Sequence, residues 1–206
     1  MAKKINIPIA DAEIDALSVG DSVLLSGVMI NGRDSVHKWM SDTFIKKTRQ
    51  PAGDDLEVFE AIRPILQGGV IYHCGPVVGG LDTRQYRFVA AGPTTSIREE
   101  PYQGDVMRLF NLKGVIGKGG MAAKTLAACQ EVKGVYFHAI GGAASLNAQA
   151  GKRGVGGHQV EFGGPKTQWV IEVEDFPVVV TMDAHGNSLH ESVRAQSREV
   201  LERLIA

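Results

Sequence analysis

One arrangement occurs three times between residues 87 and 150: an apolar strand, a loop of small residues, then a helical stretch. RFVAA (87–91) leads into GPTTSIR (92–98) and a helix expected from Pro101 to Leu112. KGVIG (113–117) leads into KGG (118–120) and a helix expected from Met121 to Val132. GVYFHA (134–139) leads into IGG (140–142) and a helix expected from Ala143 to Ala150. Strands that alternate with helices build a largely parallel sheet. Loops at the carboxyl ends of such strands gather on one edge and form sites there. Glycine lets that backbone approach a ligand, and its exposed amides favour an anion. The expected class is therefore α/β with glycine-rich strand-to-helix loops.

The flanking segments extend this pattern. Asp21 to Ile30 reads as a strand closed by Asn31-Gly32 turn chemistry, and Asp34 or Ser35 is the expected cap of a helix through Met40. Lys46 to Asp55 reads as a loop, Leu56 to Leu66 as a helix, and Gly69 to His73 as a strand. After a glycine-rich loop at Gly151 to Gly157, two strands are expected, Trp169 to Val173 and Val178 to Met182. DAHGN (183–187) is a turn, and His190 to Ile205 a closing helix with Val193, Val200, Leu201, Leu204 and Ile205 partly on one face. Nothing reads as a linker, so residues 1–206 are expected to form one domain.

The charges nearly cancel, 22 basic against 23 acidic. That argues against nucleic-acid or membrane-surface binding, which call for a basic excess. No run reaches the roughly 18 apolar residues of a membrane helix, and MAKKINIP (1–8) lacks a signal-peptide core, so a cytoplasmic location is expected. The two cysteines, Cys74 and Cys129, are expected as free, packed thiols; two cannot supply the usual thiolates of an iron–sulfur cluster.

GPTTSIR sets three hydroxyls and a guanidinium within five positions at a strand-to-helix junction. Hydroxyls and amides can hold a carboxylate oxygen, and Arg98 can grip a carboxylate with two parallel bonds. The plainer alternative is helix capping by Ser and Thr. Lys118, flanked by glycines, has little against which to bury its stem, so its ammonium is available to a ligand; the P-loop pattern is absent. Arg33 follows the first long strand, with Asp34 as a possible surface partner. Among the histidines, His37 shares a helical side with Arg33, His138 ends a strand and His185 sits in the late turn. No HxxxH or HExxH pattern suggests a zinc site, and any single histidine is more often structural.

GRDSVH (32–37), YHCGPVV (72–78), GPTTSIR (92–98), IGKGGM (116–121) and FPVVVTMDAHGNSL (176–189), in this order, resemble the C-terminal domain of class I fumarases, which also occurs as the separate β subunit of two-subunit fumarases and L-tartrate dehydratases. The resemblance runs roughly from Ile7 to Leu189 and implies a swivelling β/β/α fold. It implies an α-subunit partner that holds a [4Fe-4S] cluster through three cysteines, none of the cluster being bound by this chain alone. Arg33, Arg98 and Lys118 would bind the carboxylates of a small dicarboxylate; Thr94 would touch the reacting carbon as a candidate base, with Lys118 beside it in catalysis. Glu99 stands where that family usually has methionine, and Phe162-Gly163-Gly164-Pro165 replaces a more apolar segment. The leading expectation is a fumarate hydratase β subunit, inactive without its α partner, in a hetero-oligomer, or a homodimer when isolated. An L(+)-tartrate dehydratase β subunit, a non-catalytic dicarboxylate-binding protein and a self-sufficient isomerase are the alternatives.

Overall fold

The computed structural model describes residues 1–80, 82–83, 86–153 and 168–205. Its main sheet has seven strands in the order β1 (Lys3–Ile7), β2 (Ser22–Asn31), β3 (Val70–Tyr72), β6 (Gly114–Gly117), β7 (Val135–His138), β9 (Val170–Met182) and β8 (Gly151–Arg153). A separate pair holds β4 (Val77–Gly79) and β5 (Arg87–Ala90). The helices are α1 (Asp11–Asp15), α2 (Asp34–Met40), α3 (Asp55–Leu66), α4 (Glu100–Phe110), α5 (Ala123–Val132), α6 (Ala144–Gln149) and α7 (Leu189–Ile205). A π-helical turn at Ser41–Ile45 extends α2, and a 3-10 turn at Ser96–Arg98 precedes α4. None of the described helices is long and apolar enough to cross a membrane.

The pairs β1–β2, β2–β3, β3–β6 and β6–β7 are all parallel. Parallel strands are covered on both faces and so read as continuous apolar runs. Val70, Tyr72, Ile116, Val135 and Phe137 enter one core together with Ile171, Val173 and Phe176 of β9. Ile71, Val115 and Tyr136, pointing the other way, meet Val58, Ile62, Val106, Phe110 and Cys129 of the helices. β9 runs antiparallel to both β7 and β2, so the path β2–β3–β6–β7–β9 returns to β2.

Several expectations change. The first strand–loop–helix unit is not built on the parallel sheet: β5 pairs antiparallel with β4. Its side chains show why, since Val89 is half exposed and Arg87 opens the strand, whereas a central parallel strand is apolar on both faces. The two late strands are one. Asp175 takes a left-handed conformation (φ 50°) and its amide donates to Ser26 Oγ at 3.0 Å, which carries the chain through a kink rather than a break. Arg33, not Asp34 or Ser35, occupies the cap position of α2, and Asp34 is its first helical residue. Gly151–Arg153 is a short strand; the rest of the glycine-rich loop and the whole of 162–165 lie outside the described residues. α7 forms as expected, yet it buries no described residue: Val193, Val200, Leu201, Leu204 and Ile205 are all half to three-quarters exposed.

Candidate functional site

The carboxyl ends of β2, β3, β6 and β7 lie side by side, and the candidate residues leave the sheet there. At the end of β2, Gly32 donates to the Tyr72 carbonyl at 2.9 Å, and the Asn31 side chain holds the Cys74 carbonyl at 3.0 Å. This lays Arg33 over Gly75, where an added Cβ would sit 3.1 Å from Arg33 Nη1. At the end of β3, the His73 carbonyl accepts from the Thr94 amide at 2.7 Å. At the end of β6, Lys118 donates to the Thr94 carbonyl (3.3 Å) and accepts from the Ser96 amide (3.1 Å), a parallel bridge that joins the GPTTSIR loop to the sheet after all. After β7, Gly141 lies under the Lys118 stem, with a hypothetical Cβ 3.1 Å from Cδ. The stem therefore does have a surface to lie on, contrary to the sequence expectation, and its ammonium is directed by that contact.

Arg98 leaves the 3-10 turn toward α2, where its Nη2 donates to Asp34 Oδ2 at 2.7 Å. The two side chains are 54% and 34% exposed, so the pair is worth less than about 1 kcal/mol and serves orientation more than stability. It uses one of five guanidinium donors. Among the described residues, the side chains of Arg33 and Lys118 have no ion-pair or hydrogen-bond partner. Arg33, Thr94, Arg98 and Lys118 are thus carried on neighbouring strand ends and loops at one sheet edge, where Asp34 is the carboxylate ion-paired with Arg98.

Helix capping does not account for the hydroxyls of the loop: neither Thr95 at the 3-10 turn nor Glu99 at α4 makes a side-chain cap. Capping falls instead to Glu100, whose carboxylate accepts from the amides of Ala122, Lys124 and Thr125 and from Thr125 Oγ1, at 2.7–3.2 Å. One residue thereby ties the start of α4 to the start of α5. Nor is the third hydroxyl open to a ligand. Ser96 is fully buried, with Oγ 2.8 Å from His73 Nδ1 and 2.8 Å from the Tyr136 hydroxyl. His73 Nε2 lies 2.8 Å from Gln103 Oε1. A neutral ring with its proton on Nε2 satisfies the chain: Tyr136 donates to Ser96, Ser96 to His73 and His73 to Gln103. Burial and the nearby His37 hold the pKa of His73 well below the usual histidine range, so the neutral form persists. Gly117 makes room for the network, since a Cβ there would meet Ser96 Oγ at 1.8 Å.

Sequence reasoning missed this network because His73, Ser96, Gln103 and Tyr136 come from four separate elements. Two of the other described histidines, His37 and His185, are held by main-chain carbonyls. His37 is fully buried with Nδ1 3.0 Å from the Arg33 carbonyl, burial lowering its pKa. His185 is 3.2 Å from the Asp15 carbonyl, far along the chain from the cationic edge. His138 ends β7, and burial lowers its pKa too. In the late turn the working residue is Asp183, which accepts from the amides of Val19, His185 and Asn187 at 2.9–3.1 Å and anchors the segment.

The model of the family described as Fumarase C-terminus matches residues 1–193. A protein of Geobacillus stearothermophilus named as a class I fumarate hydratase is 45% identical over 196 residues, covering 95% of this chain and 35% of that protein. This chain thus spans about a third of that relative's length. L(+)-tartrate dehydratase subunit beta of Escherichia coli K12 is 32% identical over 92% of this chain and 87% of its own. A Methanocaldococcus jannaschii protein named as the same subunit is 33% identical over 94% and 93%. The chain belongs to the fumarase C-terminus family.

Proposed function

We propose that this chain is the β part of a hydro-lyase that interconverts fumarate and L-malate, working with an α subunit that carries a [4Fe-4S] cluster. The observation that carries the reading is the charge of the strand edge: Arg33, Arg98 and Lys118 leave neighbouring strand ends, and of the three only Arg98 is ion-paired among the described residues, with Asp34, which suits a doubly negative guest. The proposal includes a swivelling β/β/α fold over residues 1–206, a hetero-oligomeric assembly and a cytoplasmic location. The chain's own residues do not suit a cluster. Cys74 and Cys129 belong to different cores, and burial pushes both thiols up to about 12, away from the thiolate form a metal needs. The cluster is accordingly assigned to the partner.

This chain's part in the reaction is to hold and polarise. Removing a proton next to a carboxylate places extra negative charge on that carboxylate. Fixed cations stabilise this charge more than they stabilise the ground state. Arg33 and Arg98 hold the carboxylates, and Lys118 adds charge beside the reacting carbon. Thr94, as the alkoxide left once its hydroxyl proton has passed to solvent, takes the substrate's proton and returns to the hydroxyl. A threonine hydroxyl is a weak base and requires nearby cations to stabilise its alkoxide. Its main chain is pinned between the ends of β3 and β6, on the residue next to Lys118's bridge, which supports that role.

A second reading, L(+)-tartrate dehydratase β subunit, is favoured by length: those relatives are matched over about nine-tenths of their own chains. Identity favours fumarate. The test is co-expression with a cysteine-rich α partner under anaerobic conditions, followed by turnover assays with L-malate, fumarate and L(+)-tartrate. Dehydration of L-malate and hydration of fumarate, both lost in Thr94→Ala with substrate still bound, are the expected result; dehydration of L(+)-tartrate alone favours the second reading. A complex with an intact cluster that turns over none of the three overturns the proposal.

A further inference from the structure

Next to Arg98, the side chain of Glu99 turns inward instead of outward. It is 1% exposed, and its Oε2 has no hydrogen-bond partner. The residue is fixed by its main chain, whose amide donates to the Ser96 carbonyl (3.0 Å) and whose carbonyl accepts from Gln103 (2.8 Å). The neighbours of the carboxyl come from three elements. Asp34 of α2 presents both its amide and its charge, Arg98 lies on the same turn, and Tyr136 of β7 is near enough to feel the charge of Glu99. His37, also on α2, is kept neutral by its burial. Asp34 is therefore held by two consecutive residues: Arg98 takes its carboxylate at 2.7 Å while Glu99 faces its amide. This junction sets where α2, with Arg33 at its cap, stands relative to Arg98.

A buried carboxylate with an orphaned oxygen is costly, and the neutral acid is the form such a place favours. Here burial is the main influence and the Asp34 charge adds to it, while Arg98 and the local amides oppose them; the result is a carboxyl pushed up to about 7. A dianion bound to Arg33, Arg98 and Lys118 would add negative charge on the far side of Arg98. It would compete with Glu99 for that guanidinium's field, and so would disfavour the ionised acid further.

We infer that Glu99 is a positioning residue for the dicarboxylate site, holding the Asp34–Arg98 junction as a neutral acid and weakening the hold on a dianion when it ionises. This rests on the proposed dicarboxylate site but not on the identity of the reaction. Binding is then coupled to proton uptake by linkage. Affinity is highest below neutrality, where Glu99 is already protonated, and it falls as pH rises through about 7.

The experiment is calorimetric titration of the full chain, alone and with its α subunit, with L-malate and L(+)-tartrate between about pH 6 and pH 8.5. Ordinary carboxylic acids are ionised over this range, so proton uptake reports on the protein. The uptake is obtained from the dependence of the binding heat on the buffer's own ionisation heat. Wild type should take up a fraction of a proton near neutrality and bind roughly tenfold more weakly at the alkaline end, as one pKa unit of coupling requires. Glu99→Gln, which mimics the neutral acid, should lose the uptake and keep the tight binding at every pH. Glu99→Asp should retain the pH dependence. Glu99→Gln should unfold no more easily than wild type at pH 6, where the unfolded wild-type carboxyl is ionised and the folded one is not, showing that the fold is intact. Proton uptake that persists in Glu99→Gln overturns the inference, as does an equal loss of affinity at all pH values, which would make the residue simply structural. If neither dianion binds at any pH, the inference falls with the site. Failure of turnover with these binding results intact would fall on the proposed reaction alone.

Discussion

Gly117→Ala replaces one hydrogen with a methyl group at the end of β6. The added carbon would lie 1.8 Å from Ser96 Oγ, 2.9 Å from the Tyr136 hydroxyl and 3.1 Å from His73 Nδ1. Ser96 cannot stay where it is. Moving it breaks its bonds to His73 and Tyr136, both 2.8 Å and both buried. Each buried group left without a partner costs about 1–3 kcal/mol, and overpacking of a filled site typically costs 1–3 kcal/mol more. Some relaxation is expected, so a loss of about 3–5 kcal/mol is a fair magnitude. With a urea slope of about 2 kcal/mol per M, the unfolding midpoint should fall by roughly 1.5–2.5 M. Gly142→Ala in the next loop is the control: nothing lies within 4 Å of its added Cβ, and the midpoint should hardly move. Because Ser96 and Thr94 share the loop bridged to Lys118, Gly117→Ala should also weaken dicarboxylate binding. A Gly117→Ala protein that unfolds within about 1 kcal/mol of wild type would refute the packing argument, because no arrangement of the hydroxyls could then be as tight as described.

Arg98→Ala should lower kcat/KM of the α–β complex by about 2 kcal/mol or more while changing stability by less than about 1 kcal/mol; near-normal kinetics would remove Arg98 from the site. The burial that depresses the pKa values of His37 and His73 has a definite sign: the unfolded chain binds protons below about 6.5 that the folded chain refuses, so stability should be present above that pH and be lost as pH falls. Glu99, whose pKa is raised to about 7, contributes the opposite slope, favouring the fold less as pH climbs toward 7, so Glu99→Gln should make the loss of stability on acidification steeper. Urea midpoints across pH 5–8 for both proteins give the check, and a profile with no fall in acid would contradict the buried-histidine account. Leu204→Lys should leave the urea midpoint of the chain within about 0.5 kcal/mol of wild type, since that side chain is 78% exposed; a large drop would mean that α7 has a covering in solution.

The parallel sheet was legible because its strands are continuous apolar runs followed by small-residue loops: β6 and β7 fall within a residue of where the pattern puts them. β5 misled because RFVA has strand composition, and composition does not say which partner a strand takes. Glu174-Asp175 looked like a break between two strands, but the kinked backbone there shifts register by one residue and stays paired with β2 on either side. For the site, the loops carrying Arg33, Thr94, Arg98 and Lys118 could be found from glycine, hydroxyl and cation spacing alone. The inward turn of Ser96 and Glu99 could not. Both look like ordinary polar loop residues, and only the tertiary neighbours, Tyr136 for one and Asp34 for the other, decide which way they point. The same limit applies to α7, whose apolar residues suggest a packed face that the described fold does not bury.

The way β9 returns to β2 has a bearing on how the molecule is made. Val178 pairs with Val23 and Val170 with Ile30, partners separated by most of the chain. Such distant pairings slow folding, because a large loop must close before any stabilisation is gained from it. During synthesis, β2 and β7 will therefore emerge from the ribosome with open edges and wait for β9. Until that last strand arrives the nascent protein is most exposed to edge-to-edge aggregation, and chaperone demand should be greatest there.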